Sequence, residues 1–415
     1  MPWKENLVRD ERLRFVLACL EQESSMAGLC RRFGISRPVG YKWLARYKEY
    51  GPAGMAELSR APRAHPNQVE EWIERRVLAL RADHPTWGPR KLLASLRRQC
   101  AGEGEIDWPA ASTVGQMLKR AGLIVPRRRR DRSSWAPPPG PALAVSQEGD
   151  GPNRRWCADF KGWFRTGDGT RCDPLTMTDA YSRYLLRCRI VHRPSYLEAR
   201  GLFEAAFGEY GLPAAIRTDN GSPFATTGPL GLSRLSVWWL RLGIVHDRID
   251  PGCPEQNGSH ERMHGTLKKE TASPPAATLR AQQARFDRWV PQYNHERPHE
   301  GLPGMATPAS LYAPSPRPYP QRLADVEYPE GYHRRHVDTG KFTWHDRKVF
   351  VSHALEGQTI GLAPLLPRMT TEQGTTREPE EDRYWRVQFA SLELGIFDAK
   401  RRRLLRPRER RHLPG

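Results

Sequence analysis

The sequence predicts a multidomain protein in which all-α modules come first, an α/β domain follows and a small β-barrel ends the chain. Three observations predict this order. Apolar residues recur at helical spacing over the first 125 residues, strands alternate with helices in the middle of the chain, and closely spaced short strands follow residue 332. We expect domains at 1–62, 63–125, 126–150, 151–320, 321–398 and 399–415.

The composition favours a nucleic-acid partner. The 415 residues are enough for several domains, and the net charge of +19 attracts a polyanion, although charge alone leaves other roles open. Seven cysteines without a Cys-x-x-Cys pair argue against a zinc finger or a disulfide framework. Their odd number and the charged N-terminus predict a reducing, cytoplasmic location. No apolar run approaches the eighteen or so residues of a membrane span, so no membrane partner is expected.

The first 62 residues predict a helix-turn-helix module. Gly34 breaks the pattern between the second and third helices, Ser36 is suited to cap the third helix, and Pro38 is suited to its first turn. The apolar residues of the first helix are Leu13, Val16, Leu17 and Leu20. Helices are predicted at 11–22, 25–33 and 35–44.

The third helix is the candidate for DNA recognition. In a helix-turn-helix motif the second helix of the pair enters the major groove with its N-terminal residues. The side chains predicted on its exposed face are Arg37, Tyr41, Lys42 and Arg46. A three-helix bundle without a DNA role is the alternative.

A second helical module and a linker follow. Helices are predicted over 69–82, from about residue 87 onward and over 112–120, the last ending before Gly122. The next segment, 126–150, is rich in arginine and proline, a composition that cannot build a core and acts as a spacer. Its candidate phosphate contacts are Arg127, Arg128, Arg129 and Arg130, although a solvated charge run has the same composition.

Three acidic residues in the α/β domain point to its chemistry. Asp159 lies in a predicted strand, Asp219 follows the short strand 214–218, and Glu261 lies in the first turn of a predicted helix. Carboxylates at the ends of strands in an α/β sheet can meet in one crevice. Several carboxylates that converge on divalent cations are what metal-assisted phosphoryl transfer requires of a protein.

At these residues the sequence resembles the insertion-sequence transposases that carry a retroviral-integrase-like, RNase H-like catalytic core. The matching stretches are 156–162, 178–183, 217–222, 251–268 and 293–299. The resemblance implies that Asp159, Asp219 and Glu261 form an acidic triad that holds two Mg²⁺ (or Mn²⁺) ions for DNA cleavage and strand transfer. Lys268, on the same predicted helix as Glu261, is a further candidate contact to DNA.

The third acid has two candidates, Glu255 and Glu261. Glu255 follows Asp219 by 36 residues (255 − 219), the step familiar from many family members, and Glu261 by 42 (261 − 219). We favour Glu261, because Pro254 and the Asn257-Gly258 pair indicate a loop and Ser259 is suited to cap the helix that follows. The dipole of that helix also favours an anion in its first turn.

The C-terminal region predicts about five strands, at 341–344, 348–351, 358–362, 385–389 and 394–398. Resemblance to transposase C-terminal domains implies an SH3-like barrel that binds DNA or another subunit. The arginine-rich tail from Lys400 to His412 is expected to be disordered until it meets DNA.

The sequence therefore predicts a transposase whose partners are double-stranded DNA, as terminal inverted repeats and as target, and at least one further copy of the chain. A noncatalytic helix-turn-helix regulator derived from such an element is the competing class, although it has no need of three acids. A nonspecific nuclease of the RNase H-like fold is a third possibility that leaves the N-terminal modules without a role.

Overall fold

A computed structural model describes residues 8–57, 69–124, 150–250, 253–365, 370–371, 374–375 and 383–405. The chain divides into two compact units, Met1–Glu70 and Glu71–Gly415. The predicted linker with Arg127 to Arg130 lies outside the described residues. None of the described helices combines the length and the apolar character that a membrane span requires.

The first unit is a bundle of three helices, α1 (Val8–Leu20), α2 (Met26–Arg32) and α3 (Arg37–Tyr50), followed by a 3₁₀ turn at Gly51–Met55. Ser25 caps α2 by accepting a hydrogen bond from the backbone N–H of Gly28, and Ser36 occupies the cap position of α3 as predicted. The predicted apolar face of α1 was partly wrong. Leu17 and Leu20 are exposed, whereas the core of the bundle contains Phe15, Val16, Leu29, Trp43 and Met55.

Glycine at position 40 allows α3 to pack closely against the rest of the bundle. A Cβ atom there would lie 2.8 Å from Cys30 Sγ and 2.9 Å from Phe15 Cζ, closer than such atoms approach in folded proteins. Any larger residue at position 40 would therefore require Cys30, Phe15 or α3 itself to shift.

The second unit begins with another three helices, α4 (Glu71–Asp83), α5 (Pro89–Gln99) and α6 (Ala111–Arg120). The apolar residues predicted for α4, Ile73, Val77 and Leu80, are buried. Helix α5 is held against a later part of the same unit by Arg98, which donates hydrogen bonds to the carbonyl oxygens of Met305 and Glu296. This module and the following domain therefore pack directly against each other.

A mixed six-stranded sheet forms the centre of the second unit. Strand β1 pairs in parallel with β5 and antiparallel with β3, β5 pairs in parallel with β6, and β3 also pairs antiparallel with β2 and β4. Strands β2 and β3 form the predicted hairpin around residues 166–170. The strands are β1 (Arg155–Phe160), β2 (Phe164–Arg165), β3 (Arg171–Asp179), β4 (Leu185–Val191), β5 (Ala215–Thr218) and β6 (Val245–Arg248).

Helices cover both faces of this sheet. On one face, α7 (Tyr196–Tyr210) and α8 (Arg234–Arg241) form an aromatic core with the sheet, in which Phe207 and Trp239 pack with Trp156 and Ile216. On the other face, α9 (Gly258–Thr271) and α10 (Leu279–Pro291) bury Leu267 and Phe286 against Cys172 and Leu185. A short helix, α11 (Pro308–Leu311), follows a π-helical turn at Gln292–Glu296.

Helix α9 begins earlier than predicted. Its N-cap is Asn257, and a 3₁₀ turn at Pro254–Asn257 leads directly into it, so Ser259 lies inside the helix and the prediction of Ser259 as N-cap was wrong. The chain can continue from the 3₁₀ turn into the helix because Gly258 and Ser259 fit the first helical turn. Glu261 remains in that first turn.

The C-terminal domain is an antiparallel sheet of seven strands in the order β15-β14-β13-β10-β7-β8-β9. Its outer strands β9 and β15 approach each other, so the sheet is a nearly closed barrel. The barrel core includes Leu232, Val237 and Leu240 from the region of α8. Its strands are β7 (His333–Asp338), β8 (Lys341–Trp344), β9 (Arg347–Phe350), β10 (Thr359–Pro364), β13 (Tyr384–Phe389), β14 (Leu392–Asp398) and β15 (Arg403–Leu404), and β11 (Thr370–Thr371) pairs with β12 (Gly374–Thr375) as a separate hairpin.

Two expectations for this region need correction. Strand β7 was missed because its sequence, His-Arg-Arg-His-Val-Asp, is polar, with only Val337 buried. The tail was expected to be disordered from Lys400 onward, yet Arg403 and Leu404 pair with Asp398 and Phe397 as β15. Residues 406–415 lie outside the described part of the chain.

Candidate active site

Asp159 lies on β1, between β3 and β5 in the sheet. Its side chain is 20% exposed and faces α9, where His264 Nδ1 lies 3.8 Å from Asp159 Oδ2. Burial, together with the charge of Asp219 and to a smaller extent that of Glu261, raises the pKa of Asp159 to about 7. Asp219 and Glu261 therefore lie close enough to Asp159 to act on it electrostatically.

Asp219 follows β5 directly and is half-buried. The parallel register pairs Cys157 with Arg217, an offset of 60 residues (217 − 157), and the same offset relates Asp159 to Asp219. Because neighbouring strands in a sheet lie about 4.8 Å apart, this register brings the two aspartates to adjacent positions. The strand order thus accounts for the influence of Asp219 on the pKa of Asp159.

The Asp-Asn-Gly turn orients the carboxylate of Asp219. The backbone N–H of Gly221 donates a hydrogen bond of 3.1 Å to Asp219 Oδ1, and Asn220 Nδ2 donates one of 2.9 Å to the carbonyl oxygen of Ile249. A Cβ atom at position 221 would lie 3.0 Å from Asp219 Oδ2. Glycine at this position therefore leaves room for the carboxylate close to the turn.

Glu261 is exposed on the first turn of α9. Its charge acts on Asp159, although it is a weaker influence on that pKa than Asp219. The competing candidate, Glu255, belongs to the 3₁₀ turn before the helix, and its side chain lies outside the described part of the structure. Glu261 therefore acts on Asp159, and its assignment as the third acid stays a prediction.

A buried network of two histidines and two threonines lies behind Asp159, and we had not predicted it. Thr176 Oγ1 lies 2.7 Å from Nε2 of both His260 and His264, and Thr178 Oγ1 lies 2.8 Å from His260 Nδ1. Thr176 Oγ1 also donates a hydrogen bond of 3.1 Å to the carbonyl oxygen of Asp159. The sequence signal was the i, i+4 spacing of the histidines, together with two threonines two residues apart on one face of β3.

Both histidines in this network are neutral at physiological pH. Burial lowers the pKa of His264 to about 3 and the pKa of His260 well below its ordinary value of 6.5. Their rings pack edge to face at 4.7 Å between centroids. The network therefore connects α9 to β3 and, through the carbonyl oxygen of Asp159, to β1. Because both histidines are neutral, it adds no positive charge near Asp159.

The carboxylates suit a divalent cation in donor type and in charge. Oxygen ligands are those that Mg²⁺ and Mn²⁺ prefer, and a cation would relieve the repulsion that raises the pKa of Asp159. Within the ranges that the structure describes, no three His, Cys, Asp or Glu side chains already stand close enough together to hold a metal ion. The donor set fits such a cation by its chemistry, without a preformed cage.

Lysines flank the acids. Burial and the nearby charge of Lys268 lower the pKa of Lys161, while Asp159 acts in the opposite direction. Lys268 is exposed on α9, seven residues after Glu261 and so on a similar side of the helix. The two lysines place positive charge beside the acidic residues, where a phosphate backbone would need it.

In the first unit, three of the four candidate recognition residues, Arg37, Tyr41 and Lys42, are exposed in the N-terminal half of α3. Arg46 differs from them. Its guanidinium donates a hydrogen bond of 2.9 Å to the carbonyl oxygen of Ala56 and stacks over Trp43 at 4.8 Å. The structure therefore gives Arg46 a role in holding the 3₁₀ turn against α3.

Comparison with known protein families identifies three kinds of domain. The chain matches the integrase core domain over residues 149–254 and, with a second model of that domain, over residues 242–308. It also matches a helix-turn-helix domain over residues 11–63 and a homeodomain-like domain over residues 39–118. These matches confirm the predicted helix-turn-helix domains and the integrase-like core.

Two curated relatives are insertion-element proteins. The uncharacterized 31.7 kDa protein of insertion element IS407 from Burkholderia multivorans is 26% identical over 244 residues, which cover 59% of this chain and 82% of that protein. The uncharacterized 39.2 kDa protein of insertion element IS476 from Xanthomonas euvesicatoria is 28% identical over 269 residues, which cover 62% of this chain and 70% of that protein.

Among solved structures, the chain is similar to the HTLV-2 integrase catalytic core domain in complex with magnesium, at 18% identity and a TM-score of 0.32. That match covers 40% of this chain and 99% of the other. It is also similar to a chain of the simian T-cell lymphotropic virus intasome in complex with PP2A regulatory subunit B56γ, at 16% identity and a TM-score of 0.35. That match covers 76% of this chain and 99% of the other.

Proposed function

Because this chain belongs to the insertion-sequence transposases with an integrase core, we propose that it binds the terminal repeats of an element and catalyses metal-dependent DNA cleavage and strand transfer. The observation that carries the proposal is the coupling of three acids from three separate elements. Burial raises the pKa of Asp159 on β1, and the charges of Asp219 after β5 and of Glu261 on α9 raise it as well. Such perturbed carboxylates are typical of functional sites.

Asp159, Asp219 and Glu261 would hold two divalent cations. When bound, such ions activate the attacking oxygen and stabilise the departing 3′ oxygen of an in-line displacement. The chain's own residues contribute the ligand charges, and Lys161 and Lys268 contribute positive charge for the DNA backbone. The β1–β5 register fixes the two aspartates relative to each other, and the neutral histidine–threonine network fixes α9 relative to β1.

No protein nucleophile is needed, because hydrolysis and strand transfer are both direct displacements at phosphorus. The cysteine nearest in sequence to Asp159 supports this route. Burial raises the pKa of the Cys157 thiol to about 12, so it stays protonated and unreactive. Cys157 is buried and contributes to packing.

The acids can be tested with purified full-length protein, Mg²⁺ or Mn²⁺ and a duplex that carries the inverted repeats flanking the gene. Wild type should nick the repeat end and join it to target DNA. Asp159→Asn, Asp219→Asn and Glu261→Gln should each slow nicking at least about 100-fold, because each removes charge stabilisation worth several kcal/mol. Binding of the repeat in EDTA should remain nearly unchanged.

Glu255→Gln is the matched control for Glu261→Gln, since both remove one carboxylate from the same stretch. If Glu255→Gln is inactive while Glu261→Gln nicks normally, Glu261 is not the third acid. If wild type binds repeats specifically and never cuts DNA with any divalent metal, the chain is a noncatalytic regulator. Cleavage without preference for the repeat end would indicate a nonspecific nuclease.

The helix α3 contacts can be tested on the same full-length chain. Arg37→Ala and Lys42→Ala should each weaken specific binding by roughly 1–3 kcal/mol if they contact base edges. Lys48→Ala, which removes an exposed lysine near the C-terminal end of α3, is the control and should have a smaller, sequence-independent effect. Equal losses on repeat and random DNA for all three variants would contradict a recognition role for α3.

We further propose that the chain acts as at least a dimer on DNA, because one triad serves one DNA end and joining needs both ends together. Light scattering of protein–repeat complexes should show paired ends. One chain per end at every concentration would rule this assembly out. Restored activity on mixing Asp159→Asn with a chain that carries Arg37→Ala and Lys42→Ala would show that recognition and catalysis can act in trans.

A further inference from the structure

A positively charged cavity lies between helix α5 and helix α9, and none of the three acids is among its lining residues. Its volume is about 340 Å³, in the size range of sites for small ligands. The charged residues that line it are Lys91 on α5, Arg262 on α9, and Arg183, Arg297 and Glu300 from connecting segments. We call it the α5–α9 pocket.

The charges in this pocket do not balance. Four cationic side chains line it together with one carboxylate, that of Glu300. Outside the lining, Glu270 forms an ion pair with Arg297 and Asp179 interacts with the charge of Arg183, so Lys91 and Arg262 are the lining cations whose charge exceeds that of Glu300. A local excess of positive charge in a partly desolvated cavity favours an anionic ligand.

Among the described residues, Lys91 shows most directly that the pocket favours an anion. Its side chain is 21% exposed, and its ion pair with Glu300 spans 3.9 Å, which is too long for a hydrogen bond. Glu300 is itself half-exposed and also faces Arg90 at 3.8 Å. Burial, followed by the charge of Arg297, lowers the pKa of Lys91, so this ammonium group lies in a field that Glu300 does not neutralise.

The pocket is held rigidly on both sides. Arg98 fixes α5 through its hydrogen bonds to Met305 and Glu296. Arg297 is buried and held by Glu270, which also accepts a 2.7 Å hydrogen bond from Trp289 Nε1. Helix α5 and Arg297 are therefore positioned before a ligand binds, which lowers the entropic cost of binding one.

A hydroxyl group completes a lining suited to phosphate. Ser259 lines the pocket from α9, on the side of the helix that carries Arg262, whereas the Thr266 hydroxyl donates its hydrogen bond to the carbonyl oxygen of Arg262. A phosphate oxygen accepts hydrogen bonds from hydroxyl and guanidinium groups, and arginine binds it with two parallel donors. The cavity is larger than one phosphate and can admit an adjoining sugar.

The position of α9 identifies the source of that phosphate. Arg262 is the residue after Glu261, and Lys268 lies farther along the same helix, so the pocket and the proposed third acid share the first turns of α9. We propose that the α5–α9 pocket binds a backbone phosphate of the DNA strand, so that α5 and α9 together hold that strand next to Glu261. This inference rests on the proposed function, and it gives the second helical module a role in placing the substrate.

The test uses full-length protein in EDTA and duplexes that carry a single neutral methylphosphonate at successive positions near the repeat end. One position should weaken wild-type binding several-fold, and Lys91→Gln or Arg262→Gln should remove the sensitivity at that position only. Each variant should also lower the slope of log affinity against log salt by about 0.9, the value for one lost phosphate contact. Arg280→Gln, which removes an exposed arginine from α10 outside the pocket, is the matched control and should retain the sensitive position.

Two results would overturn the inference. The first is a scan in which the sensitive positions are the same for wild type, Lys91→Gln, Arg262→Gln and Arg280→Gln. The second is that millimolar inorganic phosphate or ATP binds in a way that depends on Lys91, while no methylphosphonate position in the duplex has an effect that depends on Lys91. That result would assign the pocket to a free phosphate compound. Failure of the proposed function looks different, because wild type would then not cut DNA whatever the scan showed. Arg262 is exposed, so its variant tests the pocket even if Lys91→Gln folds poorly.

Discussion

Replacing Asp159 by asparagine should stabilise the metal-free protein, and by more at high pH than at low pH. The pKa of Asp159 is about 7 in the fold, against an ordinary value of 3.8. Because the folded pKa is the higher one, the folded state binds more protons than the unfolded state between these values. The wild type therefore loses stability as the pH rises through this window.

The magnitude follows from the size of the shift. The difference of 3.2 units (7 − 3.8), at 1.36 kcal/mol per unit, means that ionised Asp159 costs about 4 kcal/mol at pH 8. At pH 5 Asp159 is protonated in the folded state and ionised in the unfolded state. The pH then lies 1.2 units (5 − 3.8) above the unfolded pKa, so keeping Asp159 protonated in the fold costs about 1.6 kcal/mol. Asparagine carries no charge, so the advantage of the variant should grow by about 2.5 kcal/mol from pH 5 to pH 8.

Urea denaturation in EDTA, followed by tryptophan fluorescence at pH 5, 6, 7 and 8, measures this difference because Trp156 and Trp239 lie in the core around β1. Asp325→Asn, at an exposed position, controls for the loss of one negative charge. Addition of Mn²⁺ should stabilise the wild type and not Asp159→Asn. A difference between variant and wild type that stays constant from pH 5 to pH 8 would refute the reasoning.

Two further predictions concern the surroundings of α9. Glu270→Gln should destabilise the protein by about 3–5 kcal/mol in urea unfolding, because it leaves the buried Arg297 without its ionic partner. The control is Glu300→Gln, which at a half-exposed site should cost no more than about 1 kcal/mol. His264→Asn should reduce the loss of stability on acidification. The pKa of His264 is about 3 in the fold, so below pH 6.5 protons bind preferentially to the unfolded chain. The urea midpoints at pH 7 and pH 5 should therefore differ less in the variant than in wild type.

Local patterns in the sequence were enough to predict several elements. The i, i+4, i+7 spacing of Ile73, Val77 and Leu80 predicted α4, and all three residues are buried. Gly34 and Ser36 predicted the turn and the start of α3, because a positive φ at Gly34 and a cap at Ser36 are properties of neighbouring residues. Polar strands such as β7 could not be found in this way. This segment is a strand because it pairs with β8 and β10, and its own residues carry no strand pattern.

The sequence by itself also determined which residues are candidates for the chemistry, since three acids in three recognisable stretches need no structure to be noticed. Only the tertiary structure decided how they act on one another. The β1–β5 register aligns Asp159 with Asp219, the packing of α9 on β3 creates the histidine–threonine network, and the packing of α5 near α9 brings Lys91 and Arg262 to one cavity. These contacts join segments that are far apart in the chain, so they depend on how elements pack, whereas helix periods, caps and turns depend on neighbouring residues alone.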